Sequence, residues 1–150
     1  MEEVAISLAT KVDAKEISLL SRELIEYGLK WRYTEGRIKR LINHESKNVA
    51  VARTKSLLAG FGVMTYYEDS SNLDLLAVKT EFQGKGVAQK LVVWLEAVAL
   101  NAGIRKIYVQ ARETNKQGVE FYKKLGYKKF AEKQQVYGIE SQIRMFKKLC

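Results

Sequence analysis

A buried strand that passes through a glycine-rich turn into a long amphipathic helix is the feature that most constrains this chain. Leucine, alanine and valine fall on both parities from Leu73 to Val78, which is typical of a strand covered on both faces. Apolar residues then recur at intervals of three and four from Val87 to Ala102, and Gly103 ends the pattern. A strand covered on both faces needs packed layers on either side of its sheet, so this pattern predicts a layered α/β domain.

The rest of the chain divides into short strands and helices, without a Ser/Gly-rich linker, a low-complexity run or a repeat of fixed period. Hydrophobic periodicity predicts strands at 4–8, 48–54, 57–67, 73–78, 104–109, 127–136 and 142–149, and helices at 17–28, 38–42, 86–103 and 114–126. The order β-α-α-β-β-β-α-β-α-β-β predicts a mixed α/β domain, with a central, mostly antiparallel sheet of about seven strands flanked by four helices. Because 150 residues is a usual domain length, we expect a single domain over residues 1–150.

Composition excludes several classes of protein. With one cysteine, Cys150, and one histidine, His44, the chain can form neither an intramolecular disulfide nor a zinc site built only from Cys and His. The apolar run at 91–95 is far shorter than the ~20 residues of a membrane span, and the acidic start of the chain lacks the basic region of a signal peptide. We therefore expect a soluble, cytoplasmic protein that contacts no membrane. The formal net charge of +9 favours an anionic partner: nucleic acid, acidic lipid or a phosphate-bearing cofactor.

The glycine-rich turn is the first candidate binding site. Backbone N–H groups that begin a helix have no intrahelical partner, and the helix dipole is positive at the same end. Gly84 and Gly86 would let the backbone approach a phosphate closely, while Lys79 and Lys85 supply positive charge at the rim. The turn alone is also compatible with an ordinary strand-to-helix connection, because the chain has neither a Walker motif nor a complete dinucleotide fingerprint.

Two linked sequence motifs continue from this turn. Gln83, Gly86 and Ala88 fit the pattern Gln/Arg-x-x-Gly-x-Gly/Ala. An Asn followed by a Phe/Leu-Tyr pair and a Leu-Gly-Phe/Tyr ending is matched by Asn115, Phe121, Tyr122, Leu125, Gly126 and Tyr127. With the order of elements, these motifs resemble the GNAT superfamily of acyl-CoA-dependent N-acetyltransferases. The resemblance covers nearly the whole chain, most strongly 73–130, and is closest to the ribosomal-protein alanine N-acetyltransferase branch.

Helical geometry places part of the second motif on one face. A Thr-x-x-Gln capping box from Thr114 to Gln117 is expected to begin the helix. Asn115 and Tyr122 are seven residues apart, so they lie about 10 Å apart along the helix axis, with Gly118 between them. If this face packs beside a bound thioester, Asn115 can hydrogen-bond its amides and Tyr122 can present a hydroxyl near the sulfur. A helix-start residue, a packing tyrosine and a weak helix position are the competing interpretations.

The resemblance implies direct transfer of an acetyl group from acetyl-CoA to an amine within a ternary complex, without a metal ion. It assigns the cofactor to residues along the strand, the turn and the second helix: Leu76, Ala77, Val78, Gln83, Gly84, Lys85, Gly86, Val87, Ala88, Asn115, Gly118 and Tyr122. In this arrangement the backbone N–H near Leu76 polarises the thioester carbonyl. Tyr122 protonates the departing thiolate or donates a hydrogen bond to it.

The residues that bind and deprotonate the amine leave alternatives open. Asp74, which shares a strand face with Asn72, is the candidate base, acting directly or through water, although a solvent-facing carboxylate fits equally well. Gln110 stands where the resembled branch usually carries glutamate, and an amide cannot act as a base. Trp31 and Tyr33 occupy the region where the family shapes its acceptor pocket, but packing between helices would also explain them. The acceptor could be a small-molecule amine or a peptide N-terminus.

Two other functions are compatible with the sequence. The chain could be a degenerate domain that binds acyl-CoA as a sensor and transfers nothing. It could also be a basic module that binds nucleic acid or the ribosome, but its basic clusters are scattered and no RNA-binding aromatic motif accompanies them. A solvated basic surface, without nucleic-acid binding, is therefore the expectation. The apolar, basic-edged final strands could join two copies in a homodimer.

Overall fold

A seven-stranded sheet organises the part of the chain that the computed structural model describes, residues 3–133 and 142–149. The strands are β1 (Ala5–Leu8), β2 (Lys47–Arg53), β3 (Leu58–Tyr66), β4 (Ser71–Val78), β5 (Lys106–Arg112), β6 (Lys128–Lys133) and β7 (Gln142–Lys148). The α-helices are α1 (Ala14–Leu24), α2 (Glu35–Ile42), α3 (Val87–Asn101) and α4 (Lys116–Lys124). The predicted class and element order are confirmed. Positions 134–136 of the strand predicted at 127–136 lie outside the described residues.

The sheet has the spatial order β1-β2-β3-β4-β5-β7-β6, so the strand predicted to be buried on both faces, β4, is the fourth of the seven. β4 and β5 pair in parallel, and every other neighbouring pair is antiparallel. The parallel ladder is short: it runs from Ser71 opposite Ile107 to Leu73 opposite Val109 and then stops. β5 continues to Arg112 beside β7, so the second half of β4 diverges from β5 and a gap opens between them.

A β-bulge lies at the point where this gap begins. On β3, Val63 stands opposite Leu75 and Met64 opposite Leu73, so Asp74 is the extra residue on β4. A bulge bends its strand and increases the local twist, which turns β4 away from a straight course beside β5. The bulge also changes the alternation of side chains, so that Leu73 and Leu76 face the same side of the sheet.

Helices cover the two faces of the sheet unequally. On one face, α3 and α4 bury Leu91, Leu95 and Tyr122 against residues from most of the strands. On the other face, α1 and α2 pack Ile17 and Ile38 on β2, β3 and β4, and the described core beneath them contains no residue of β5, β6 or β7. β4 contributes to both cores, as its pattern predicts. None of the described helices combines the length and apolar character that a membrane span requires.

The first residues of α3 and α4 include several of the candidate site residues. α3 begins after Gly86, which has a positive φ of 84° and provides no side-chain cap. α4 begins after Asn115, whose side chain accepts a hydrogen bond from the backbone N–H of Gly118 at 3.0 Å. The capping box predicted from Thr114 was therefore wrong: asparagine caps equally well, and the helix starts one residue later.

We predict that Gly60→Ala destabilises the protein because β3 passes too close to β4 for a side chain at this position. An ideal Cβ at Gly60 would lie 2.6 Å from the carbonyl oxygen of Ala77 and 3.3 Å from the Cα of Val78. We expect the free energy of unfolding, measured by urea denaturation, to fall by about 1–3 kcal/mol.

Gly36→Ala in α2 is the matched control, since its Cβ would meet only the Arg40 side chain at 3.8 Å. Replacing a helical glycine with alanine should raise the free energy of unfolding by up to about 1 kcal/mol. Equal stability of the two variants would contradict the close approach of β3 to β4.

Candidate active site

A groove of about 820 Å³ lies between the second half of β4, the turn that follows it and α4. Its lining brings together nearly all the residues that the sequence assigned to a cofactor: Leu76, Ala77, Val78, Gln83, Gly84, Gly86, Val87, Ala88, Asn115, Gly118 and Tyr122. Lys85, from the same set, does not line it. Residues far apart in sequence thus form one concave surface, which is the usual form of a ligand site.

One wall of the groove is the diverging half of β4. Because pairing with β5 ends at Leu73, the β4 backbone around Leu76, Ala77 and Val78 has no β-ladder partner on the β5 side. Backbone N–H and C=O groups that lack a ladder partner in a groove are ready to hydrogen-bond an extended ligand in the manner of an added strand. This wall therefore suits a ligand with amide groups.

The second wall is the turn that leads into α3. The side-chain amide of Gln83 donates a 2.9 Å hydrogen bond to the carbonyl of Val78, which ties the turn to the end of β4. Gly84 and Gly86 both have a positive φ, a conformation that non-glycine residues rarely adopt. The unpaired N–H groups at the start of α3 and the positive end of its dipole face the groove. The first turn of α3 contains no acidic side chain that would repel an anion there. This wall suits an anion.

The third wall is α4, where the spacing analysis placed Asn115, Gly118 and Tyr122 on one face. The Oδ1 of Asn115 serves the helix cap, which leaves its amide NH₂ as a donor toward the groove. An ideal Cβ at Gly118 would lie only 2.5 Å from that nitrogen, so the glycine makes room for the capping side chain itself. The sequence analysis had included Gly118 among the residues assigned to the cofactor.

Tyr122 combines access to the groove with burial of most of its ring. Its side chain is 9% exposed and packs edge-on against the ring of Tyr127, with centroids 5.6 Å apart. Burial raises the pKa of the Tyr122 phenol well above its usual value of 10, because the phenolate would lose its hydration. The hydroxyl is therefore protonated throughout the physiological pH range.

A partly buried ionic network supports the back of Tyr122. The Tyr127 hydroxyl donates a 2.8 Å hydrogen bond to the carboxylate of Glu96 on α3, and the ammonium of Lys147 lies 3.1 Å from the same carboxylate. Burial, and then the negative charge of Glu96, raise the pKa of the Tyr127 phenol. This network fixes α3, β7 and the start of β6 around the ring that packs on Tyr122.

Asp74, the candidate base, lies outside the groove. Its carboxylate accepts hydrogen bonds from the Thr65 hydroxyl and, at 2.7 Å, from the Asn72 amide, and the ammonium of Lys47 lies 3.7 Å away. Asn72 and Asp74 do meet on one face, but Thr65 and Lys47 belong to β3 and β2, so the carboxylate leans to the side of β4 that is away from β5. The structure therefore does not bring Asp74 into contact with Tyr122.

Trp31 and Tyr33 lie in the connection between α1 and α2 and do not line the groove. The guanidinium of Arg22 lies 5.0 Å from the centre of the Trp31 ring, and that of Arg37 lies 4.4 Å from the centre of the Tyr33 ring. Such stacking holds both rings in place.

Sequence reasoning missed the residue that organises this connection, Glu26. Its carboxylate is 6% exposed and accepts hydrogen bonds from the backbone N–H groups of Arg32 and Tyr33 and from the Ser21 hydroxyl. A buried carboxylate satisfied by backbone donors leaves no periodic signal in a sequence.

Lys116 and Lys124, which line the groove from α4, were also missed. Their position on the same helix as Asn115 was the available signal.

Within residues 3–133 and 142–149, no group of three or more His, Cys, Asp or Glu side chains is arranged to hold a metal ion.

Comparison with known proteins relates this chain to one family. A family model described as an acetyltransferase (GNAT) domain matches residues 22–149. An acetyltransferase of Pectobacterium atrosepticum is 30% identical over 97 residues, which are 65% of this chain and 69% of that protein.

Two solved structures illustrate the shared fold. The ribosomal-protein-S18-alanine N-acetyltransferase of Escherichia coli has a TM-score of 0.84 at 17% identity, over 97% of this chain and 94% of that one. The PaiA N-acetyltransferase of Thermoplasma acidophilum, solved in complex with coenzyme A, has a TM-score of 0.80 at 20% identity, over 97% of this chain and 99% of that one.

We predict that the buried Tyr122 phenol makes stability fall at high pH. Its pKa is raised in the folded protein, so the stabilisation is complete below pH 10 and is lost as the unfolded state ionises above that value. One such tyrosine lowers the free energy of unfolding by about 1.4 kcal/mol per pH unit above pH 10.

Urea denaturation of the wild type and of Tyr122→Phe from pH 8 to pH 11 should show a shallower decline of the free energy of unfolding in the variant. Tyr27→Phe, at a side chain that is 80% exposed, controls for loss of a phenol as such; parallel declines in wild type and Tyr122→Phe would contradict the burial.

Proposed function

The chain belongs to the GNAT acetyltransferase family, and we propose that it transfers the acetyl group of acetyl-CoA to a primary amine of a small molecule or a peptide N-terminus. The observation that carries the proposal is the groove in which the diverging half of β4, the start of α3 and Tyr122 converge. Transfer would proceed by direct attack of the amine while both substrates are bound. An acyl-CoA sensor would need the same groove but no role for Tyr122.

The three walls of the groove fit the parts of acetyl-CoA. The β4 backbone from Leu76 to Val78 can pair with the amides of the pantetheine arm. The N–H groups at the start of α3 can hold the pyrophosphate, and Lys116 and Lys124 add positive charge from the opposite wall. The similar Thermoplasma acidophilum protein was solved with coenzyme A, which supports this assignment.

Acetyl-CoA supplies an acetyl group activated as a thioester, and the chain supplies fixed dipoles around it. Backbone N–H groups near Leu76 are held by the pairing of β4 with β3 and need no reorientation as negative charge develops on the thioester oxygen. Preorganised donors of this kind contribute on the order of 3 kcal/mol each to lowering a barrier. We assign this role to the β4 backbone.

Tyr122 is the proposed donor to the departing sulfur. Its raised pKa keeps the proton on the phenol oxygen, and from the groove wall Tyr122 would donate that proton toward the ligand. A thiol has a pKa near 8.5, so complete transfer of the proton is unfavourable in isolation. A hydrogen bond that strengthens as charge develops on sulfur therefore describes the role better than full acid catalysis.

The amine must lose a proton before it attacks. Gln110, exposed on β5 beside the gap, cannot accept one. Asp74 lies on the other side of the gap but is held by Lys47, Thr65 and Asn72, so it would act through a water molecule. We keep Asp74 as the proposed base on these terms, with Trp31 and Tyr33 as proposed contacts of the acceptor.

We predict that Gly86→Ala abolishes binding of coenzyme A because the added methyl group blocks the groove, and not because of backbone strain. Gly86 and Gly103 stand at the two ends of α3 with φ of 84° and 86°, and a Cβ at either would meet no atom within 4 Å. Both alanine variants should lose about 1–2 kcal/mol of stability from the left-handed conformation. Only at Gly86 would the methyl group stand in the groove where the phosphates are proposed to bind.

The measurement is thermal unfolding with acetyl-CoA, coenzyme A or ATP. Ligand at 100 times its dissociation constant should raise the wild-type midpoint by about 5–10 °C. Gly103→Ala should keep this shift with both CoA species, Gly86→Ala should lose it, and ATP should produce little shift in any variant. Equal shifts with all three ligands would indicate general attraction of polyanions to a basic protein and would reject the assignment.

We predict that Tyr122→Phe lowers kcat at least about tenfold, because a general acid or charge-strengthened donor contributes on the order of 10²-fold or more. Release of free thiol from acetyl-CoA with a panel of primary amines measures kcat, and the thermal shift measures retention of CoA binding. Tyr127→Phe is the matched control: it removes a neighbouring hydroxyl that bonds Glu96 and does not line the groove. Unchanged turnover in Tyr122→Phe would remove this residue from the mechanism, and absence of turnover in the wild type would favour the sensor.

A further inference from the structure

We propose that the amine accepted by this protein carries a carboxylate and that Arg144, on β7, binds it. This inference rests on the proposed function, because it names the class of acceptor for that site. It excludes polycationic amines as preferred acceptors.

The position of Arg144 follows from the strand register. Leu73 opposite Val109 is the last pair between β4 and β5, so Gln110 is the first β5 residue beside the gap. Arg144 stands directly opposite Gln110 across the β5–β7 pair, where Cβ atoms are about 5 Å apart and side chains share a face. Arg144 therefore lies one strand away from the mouth of the gap.

The face on which Arg144 lies is the face from which an acceptor can approach. Ile143 and Met145 are buried under α3 and α4, so by alternation Arg144 points to the opposite face of the sheet. The thioester would enter from the side of Tyr122, which α3 and α4 occupy. On the opposite face, the described core under α1 and α2 ends at β4, and Phe130 beside Arg144 is 53% exposed. Among residues 3–133 and 142–149, no helix packs on this half, and we take it as the route by which an acceptor reaches the gap.

Aromatic rings hold the guanidinium of Arg144 in place. It lies 4.5 Å from the centre of the Tyr108 ring and 5.7 Å from that of Phe130, while Phe146 packs against both rings. Within the described part of the chain, Arg144 takes part in no ion pair, and its Nε is buried without a hydrogen-bond partner. A guanidinium that is fixed by stacking, and whose donors bond to no described residue, is suited to bind a carboxylate through two parallel hydrogen bonds.

The charge of the surrounding surface points in the same direction. The ammonium of Lys106 lies 4.8 Å from the Phe146 ring centre and adds a second cation to this aromatic floor. On the β4 side, the carboxylate of Asp74 is already paired with Lys47 and leans away from β5. A polyamine or aminoglycoside would thus meet cations, whereas an amine with an apolar chain and a carboxylate would match the rings and the guanidinium.

The sheet also limits the distance between the two ends of such an acceptor. Adjacent strands are about 5 Å apart, so an amine in the gap and a carboxylate at β7 lie within about 10 Å of each other. A chain of a few methylene groups, or a short peptide with an acidic side chain, spans this distance.

The test uses the full-length protein with saturating acetyl-CoA and amines in isosteric pairs. The pairs are ω-amino carboxylates of three to seven carbons with their carboxamides, and Ala-Glu amide with Ala-Gln amide; spermidine is the polycationic arm. Thiol release gives kcat and KM. We expect kcat/KM for the best carboxylate to exceed that for its amide at least tenfold, mainly through KM, and spermidine to be poorer than either.

Substitution of Arg144 then decides its role. In Arg144→Met the ratio of kcat/KM between carboxylate and carboxamide should fall to about one, and Arg144→Lys should restore part of it. Lys55→Met, in the exposed turn between β2 and β3, removes one positive charge away from the site and should keep the ratio. A wild-type ratio near one, or a loss in Arg144→Met that is equal for both members of a pair, overturns the inference while leaving the acetyltransferase proposal intact.

Binding without turnover separates the two proposals. If no amine releases thiol although coenzyme A binds, the proposed function fails, and calorimetric titration of the same carboxylates into the CoA-bound protein still tests the inference. Saturable binding that is lost in Arg144→Met and regained in Arg144→Lys supports it. No binding of any carboxylate to the wild type overturns it.

Discussion

The short parallel ladder between β4 and β5 is the constraint on which the site depends. Three residue pairs join these strands, and the bulge at Asp74 then redirects β4 away from its neighbour. A fully paired β4 would satisfy its own backbone and leave no surface for an extended ligand. Here β4 is held by β3 on one side and has no ladder partner on the other. Its donors and acceptors therefore face a cavity in fixed positions, and ligand binding costs no further conformational entropy of the strand.

The two faces of the sheet then have different tasks because their helices differ. α3 and α4 cover one face along most of its width, which buries Tyr122 and raises its pKa. α1 and α2 cover only the β2–β4 half of the other face, and no other described helix packs on the aromatic surface around Arg144. Under the proposed function, the gap would connect an enclosed, positively polarised cofactor side with an acceptor side that is lined by aromatic rings. In direct transfer of the proposed kind, the amine would reach the carbonyl carbon of bound acetyl-CoA through the gap, from the face opposite the cofactor.

Local signals in the sequence were sufficient for the element order and for the groove. The periodic pattern from Val87 to Ala102 and the strand before it indicate where Gly84 and Gly86 lie, and helical spacing places Asn115 and Tyr122 on one face of α4. The sequence could not show where the β4–β5 ladder ends, since register depends on contacts between distant segments. It also could not show that Gly118 accommodates Asn115, or that Glu26 is buried against backbone donors. The roles of Asp74, Trp31 and Tyr33 stay predictions, because the structure holds these residues apart from the groove.

The presence of glutamine at position 110 can be explained by Arg144, which stands opposite it on β7. A glutamate there, as in the branch that the sequence resembles, would stand opposite Arg144 on the same face and pair with it, neutralising the guanidinium. Glutamine cannot serve as a base, but it leaves the charge of Arg144 available to a substrate. Gln110 cannot deprotonate a peptide N-terminus as a glutamate would, which weakens the case for peptide acceptors. It also leaves Arg144 unpaired on this side, which strengthens the case for an acceptor that carries a carboxylate. Gln110→Glu should accordingly reduce the preference for carboxylates even if it supplies a base.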